Sequence, residues 1–126
     1  MIDHKPIIYC AGPYTASSHE AIKENINIAE KASLKLWKKG WVVITPHLNC
    51  AHFERYYDDD LTEQMIIEGE LVILKRCDAM FVLKGWEKSK GTLKEIEFCK
   101  ENNITIFYET DGIPEVEPHG QKKDSV

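Results

Sequence analysis

Ser89, Gly91 and Glu95 form the pattern S-x-G-x-x-x-E inside the segment Gly85–Phe98, GWEKSKGTLKEIEF. At a loop-to-helix junction this order of residue types is suited to chemistry. Gly91 lets a ligand approach the backbone, and the free N–H groups of a first helical turn, with the Ser89 hydroxyl, can hold a phosphate. Glu95 lies about one turn further on, where the positive end of the helix dipole favours the ionised carboxylate that a nucleophile must be. The plainer alternative is a capped helix with a solvated glutamate beside Glu97. A second segment, Tyr9-Cys10-Ala11-Gly12-Pro13-Tyr14-Thr15, reads as a strand entering a tight turn. There Gly12 can clear space for a sugar or phosphate, and Tyr9 or Tyr14 can offer a hydroxyl or a stacking face. The alternative is an ordinary strand-to-helix turn, where Gly and Pro are common. Neither G-x-G-x-x-G nor G-x-x-x-x-G-K-[ST] occurs, so dinucleotide-type and P-loop sites have no support.

The elements that must position these residues are legible as alternating apolar runs and helical stripes. Pro6–Ala11, Trp41–Thr45, Asp78–Lys84 and Ile104–Tyr108 read as buried strands. Between them, Ser17–Lys39 carries Ile22, Ile26, Ala29, Ala32 and Leu36 on one stripe, closed by Gly40. Asp60 and Glu63 resemble a capping box opening a helix that runs to about Arg76. Gly91–Glu101 forms the third helix. Pro46–Asp59 has no strong period and reads as a long loop. After Asp111 the chain is rich in Pro, Gly and charge, and a flexible tail over 112–126 is expected to follow a single domain over 1–111.

The order β-α-β-α-β-α-β implies right-handed crossovers. The fold expected is α/β: one doubly wound, flavodoxin-like parallel sheet of four to five strands in the order 2-1-3-4, with helices on both faces. Its switch point falls between the first and third strands, and ligands bind there, outside the carboxyl ends of the strands. That topology alone nominates Gly12–Thr15 and Lys84–Gly91.

Composition narrows the classes of function. In 126 residues, 43% are hydrophobic and 29% charged, which suits one globular domain. A net charge of -5 and a pI near 5.5 disfavour nucleic-acid binding. No apolar run approaches the roughly 20 residues a membrane span needs. Met1–Lys5 is short and polar, unlike a signal peptide. Cys10, Cys50, Cys77 and Cys99 form no C-x-x-C pair. A reduced, cytoplasmic setting with free thiols is the expectation.

The other candidates are weaker. His47, His52 and Asp58–Asp60 match no metal-ligand spacing, and the acidic run suits a helix start, so no metal is expected. His47 follows the second strand and can still border a substrate. Trp86 reads as a loop anchor that can also pack on a base. Cys10 and Cys99 read as core, with no adjacent His to make a thiolate.

IYCAGPYT after the first strand, paired with S-x-G-T-x-x-E after the third, resembles the nucleoside 2-deoxyribosyltransferase superfamily. The small phage-type and bacterial members and the 2'-deoxynucleoside 5'-phosphate N-hydrolases are the most similar, over about residues 6–110. The resemblance implies Glu95 as the nucleophile and Tyr9 as the tyrosine that positions it. It implies a second acid at Glu70, eight residues before Asp78, where the family places an aspartate; Glu68 is a nearby competitor. Ser89 matches the serine that nucleotide-using members place near a 5'-phosphate. Gly12, Pro13, Tyr14, His47, Trp86 and Gly91 complete the expected substrate-binding set. Where family members usually have Gly two residues after the nucleophile, this chain has Glu97.

The activity so implied is cleavage or transfer of the N-glycosidic bond of a (deoxy)nucleoside 5'-monophosphate. It needs no cofactor, and a homodimer or higher homo-oligomer completes the sites. A carboxylate beneath C1' can stabilise or capture an oxocarbenium-like centre, while a second acid protonates the departing base. The alternative is a non-catalytic nucleotide-binding module of the same fold.

Overall fold

Ile7–Ala11, five apolar residues, form the inner strand β1 of the computed structural model, which describes residues 5–116. Helix α1 (His19–Lys38) follows, its first turn capped by the Ser18 hydroxyl, which accepts the Ala21 N–H at 3.1 Å. Then come β2 (Val42–Ile44), the short α2 (Pro46–Asn49), a 3-10 turn at Phe53–Tyr56, α3 (Glu63–Lys75), β3 (Ala79–Val82), α4 (Lys90–Glu101) and β4 (Thr105–Tyr108). The sheet is four-stranded and all parallel, in the order β2-β1-β3-β4. Tyr9 pairs in register with Ile44 on one side and Met80 on the other.

Strand alternation sorts the side chains onto two faces. Ile8, Cys10, Val43 and Phe81 pack under Ala29, Ala32 and Leu36 of α1. Tyr9, Ala11, Met80 and Val82 face Leu74 of α3 and Ile96 and Cys99 of α4. Every side chain of β3 is therefore buried, which is why its sequence shows no polar alternation. Cys10, Cys77 and Cys99 are buried free thiols, and Cys50 is partly exposed.

Three expectations change. The presumed loop over Pro46–Asp59 contains α2 and the 3-10 turn, both too short to show a period. Helix α3 is capped by Thr62, whose hydroxyl accepts the Met65 N–H at 3.2 Å, and not by Asp60; Asp58 instead turns its carboxylate back onto the Asp60 and Leu61 N–H groups. Past Asp111 the chain is held, at least over Ile113–Val116. Val116 N–H donates to Lys39 O at 2.8 Å, and Trp41 Nε1–H donates to Pro114 O at 3.1 Å. Ile113 and Val116 cover the α1-side cluster beside Phe107. Gly40, at φ +98, makes this approach possible: a Cβ there would lie 2.7 Å from Val116 O. The remainder of the expected tail, 117–126, lies outside the described residues.

Candidate active site

Tyr9 points from β1 into the α3/α4 side, and its hydroxyl donates to Glu95 Oε2 at 2.5 Å across 86 residues of sequence. The tyrosine is fully buried, Glu95 partly so. Burial pushes the Glu95 carboxyl up to about 7; the Tyr9 hydrogen bond pulls it down, and the nearby Glu70 carboxylate adds to the rise. Burial alone pushes Glu70 of α3 up to about 7. The Tyr9 hydroxyl is held far above its ordinary range by burial and by these two carboxylates, so it stays a donor. Desolvation outweighs the helix dipole at Glu95, which sits past the first turn, where the dipole has faded, so the carboxyl is raised and not, as its spacing suggests, favoured in the ionised form.

Two carboxyls balanced near neutrality, with no cation paired to either among the described residues, can divide acid and nucleophile roles between them. Oε2 of Glu95 accepts from Tyr9, and Oε1 takes no hydrogen bond among the described residues. Glu68 lies at the surface, where Gln64 Nε2 donates to it at 3.0 Å, and Glu97 is exposed on the far side of α4.

Ser89 caps α4. Its Oγ accepts the Thr92 N–H at 3.2 Å and the Thr92 hydroxyl at 2.9 Å. Among the described residues, that leaves the Ser89 hydroxyl proton and the Lys90 and Gly91 N–H groups as donors without a partner. A Cβ on Gly91 would meet nothing within 4 Å. Trp86 packs on the α4 side with its ring 5.3 Å from that of Tyr108, which fits the anchor role.

The other half of the predicted set is tied into the protein itself. Gly12 is buried, and a Cβ there would lie 2.7 Å from Leu83, so its small size serves strand packing. His47 is buried and donates from Nε2 to Pro13 O at 2.8 Å; burial holds its pKa down, so the ring is neutral. Tyr14 accepts the His52 N–H at 2.7 Å, donates to Glu54 at 2.9 Å, and its carbonyl accepts from Asn25.

Sequence reasoning missed Glu54, Thr92, Cys50 and Tyr57. Cys50 and Tyr57 are raised first by burial, with Glu70 contributing to both, so the segment after α2 borders Glu70. No periodicity or motif marks these residues. Among the described residues no three His, Cys, Asp or Glu side chains come together as a metal site requires, and no helix is long and apolar enough to cross a membrane.

A parallel sheet of order 2-1-3-4, with a carboxyl pair beside the switch point of β1 and β3, places the molecule in the flavodoxin-like class of α/β domains. The chain belongs to the family described as a domain of unknown function, DUF7768, whose model matches residues 6–109. A solved structure of a 2-deoxyribosyltransferase from the psychrotolerant bacterium Bacillus psychrosaccharolyticus is similar, with a TM-score of 0.59 and 17% identity over 81% of this chain and 70% of that one. At that identity the likeness is one of fold. No curated protein matches this sequence.

Proposed function

We propose that this protein breaks or transfers the N-glycosidic bond of a nucleoside 5'-monophosphate. The observation that carries the reading is the Tyr9–Glu95 hydrogen bond with Glu70 beside it. Glu95 Oε1 attacks C1' as the C1'–N bond breaks, and Glu70 gives its proton to the departing base. The glycosyl ester on Glu95 is then released by water, deprotonated by Glu70, or by a second base. Water as acceptor makes a hydrolase, a base makes a transferase. The name of the structural neighbour, a 2-deoxyribosyltransferase, supports the glycosyl-transfer chemistry. The free donors of Ser89, Lys90 and Gly91 support a 5'-phosphate in preference to a 5'-hydroxyl. Gly12, Pro13, Tyr14 and His47 serve in this reading as the wall that shapes the crevice.

The protein acts as a homodimer in a reduced, cytoplasmic setting. Met65, Val72 and Ile73 are exposed along one face of α3, and a Cβ on Gly69 between them would meet nothing within 4 Å, which supports a helix packing against that face. Sedimentation showing only monomer at high micromolar concentration contradicts the dimer.

The test is incubation with a panel of ribo- and deoxyribonucleoside 5'-monophosphates, with and without an added acceptor base, followed by detection of free or exchanged base. Release that vanishes in Glu95→Gln supports the enzyme. Tight binding of a monophosphate with no base released in any arm replaces it with a nucleotide-binding module.

A further inference from the structure

The sheet face opposite Tyr9 and Glu95 is covered by a single long helix and by the segment Ile113–Val116. Between α1 and that segment runs a cleft of about 590 Å³. Ile28 and Leu36 of α1, Phe81 of β3 and Ile113 give it an apolar lining. Three lysines also line it: Lys31 and Lys35 on α1, and Lys84 just past β3. None of the three has an ion-pair partner among the described residues. Glu109, the one carboxylate in the lining, is turned to the backbone, where its Oε1 accepts the Lys84 N–H at 2.8 Å.

We propose that this cleft binds a small organic phosphate with a flat apolar body, of the class of an aromatic monophosphate. Its volume lies within the roughly 300–1,000 Å³ of small-ligand sites. The apolar lining accounts for the body, and the unpaired ammonium groups account for the anion. Lys31 and Lys35 stand one helical turn apart, about 5–6 Å between Cβ atoms, so two ammonium groups can reach one phosphate. That charge spacing suits a single compact dianion better than the spread carboxylates of an acidic peptide. The site lies across the sheet from Glu95 and does not depend on the N-glycosidic reading.

The full-length protein is titrated with 1-naphthyl phosphate, 1-naphthol and inorganic phosphate, with affinity read by calorimetry and location by the methyl shifts of Ile28 and Ile113. Naphthyl phosphate is expected to bind at least tenfold more tightly than either fragment and to move both methyls. Lys31→Gln with Lys35→Gln, at exposed helix positions, weakens it at least tenfold, while Glu95→Gln leaves it unchanged. Equal affinity for naphthol or for phosphate overturns the proposal. So does loss of binding in Glu95→Gln, which puts the probe in the candidate active site. An oligoglutamate peptide binding more tightly than naphthyl phosphate assigns the cleft to a protein partner and overturns it as well.

Discussion

The two junctions that follow β1 and β3 look alike in sequence, each with a glycine, a hydroxyl-bearing side chain and a helix to come. In the folded chain they differ in where their polar groups go. After β1, Pro13 O is taken by His47, the Tyr14 hydroxyl by His52 and Glu54, and the Tyr14 carbonyl by Asn25. Gly12 is small because Leu83 occupies the space a Cβ would need. After β3, among the described residues, the Lys90 and Gly91 N–H groups have no partner, Gly91 borders open space, and Glu95 is held by one tyrosine and no cation. The first junction's hydroxyl and two of its carbonyls are engaged internally, as in scaffold. A junction that leaves donors free beside a destabilised carboxyl pair has the character of a binding site.

The sharpest break in this comparison is at Glu95. Glu95→Gln keeps an oxygen to accept from Tyr9, so the fold is expected to survive, yet it removes the carboxylate proposed as nucleophile. Base release is expected to fall by at least about a thousandfold. Glu97→Gln, on the exposed side of α4, is expected to leave the rate near that of the parent protein. Equal rates in Glu95→Gln and the parent protein would remove Glu95 from the mechanism.

Next in size is Gly12→Ala. Its Cβ would fall 2.7 Å from both Cβ and Cδ1 of Leu83, within a packed strand layer. Overpacking of this kind costs about 1–3 kcal/mol. The loss is read as a lowered denaturation midpoint with unchanged slope. A neutral Gly12→Ala would mean that the first junction has slack and would blur the contrast with the second.

The carboxyl pair gives a pH dependence. Glu70 and Glu95 stand at about 7 when folded, against 4.5 ordinarily, so the folded chain holds these protons more tightly than the unfolded one. Their contribution to stability is fully present below about pH 4.5 and declines as pH rises, with the loss complete above about 7. Replacing either by Gln is expected to flatten the stability profile between about pH 5 and 7, and a double replacement to flatten it further. If the pair shares the proposed roles of acid and nucleophile, turnover is expected to follow a bell with limbs on either side of neutrality. A stability slope unchanged by both replacements would show that neither carboxyl is perturbed.

Much of this was legible before any coordinates. Strands buried on both faces must be continuous apolar runs, and their alternation with three helical stripes forces the parallel order. Tyr9 and Glu95, 86 residues apart, meet because that order sets β1 beside β3; spacing marks each as a candidate, and the family resemblance pairs them. What stayed hidden depends on long-range contact. Glu54 reaches Tyr14 from a loop without period. Ile113 and Val116 dock through an opening that only Gly40 leaves, and two apolar residues separated by Pro and Glu carry no stripe. The sign of the Glu95 shift depends on burial, which local spacing and the helix dipole do not report.

The smallest predicted effect discriminates most finely. Gly91 lies in the first turn of α4 with a helical backbone and open space where a Cβ would go. Glycine within a helix costs roughly 0.5–1 kcal/mol relative to alanine. Gly91→Ala should therefore stabilise the protein by up to about that amount, opposite in sign to Gly12→Ala. If the bare backbone there exists to admit a phosphate, the added methyl also stands in the ligand's path. The ratio of monophosphate to free-nucleoside affinity should then drop at least about tenfold, the equivalent of 1.4 kcal/mol. Ser89→Ala provides the control. Losing the Ser89 cap costs about 1 kcal/mol of stability whatever the ligand, so its effect on the same ratio isolates the phosphate contact. A Gly91→Ala protein that is more stable and keeps the full preference for a monophosphate would place the phosphate elsewhere in the crevice.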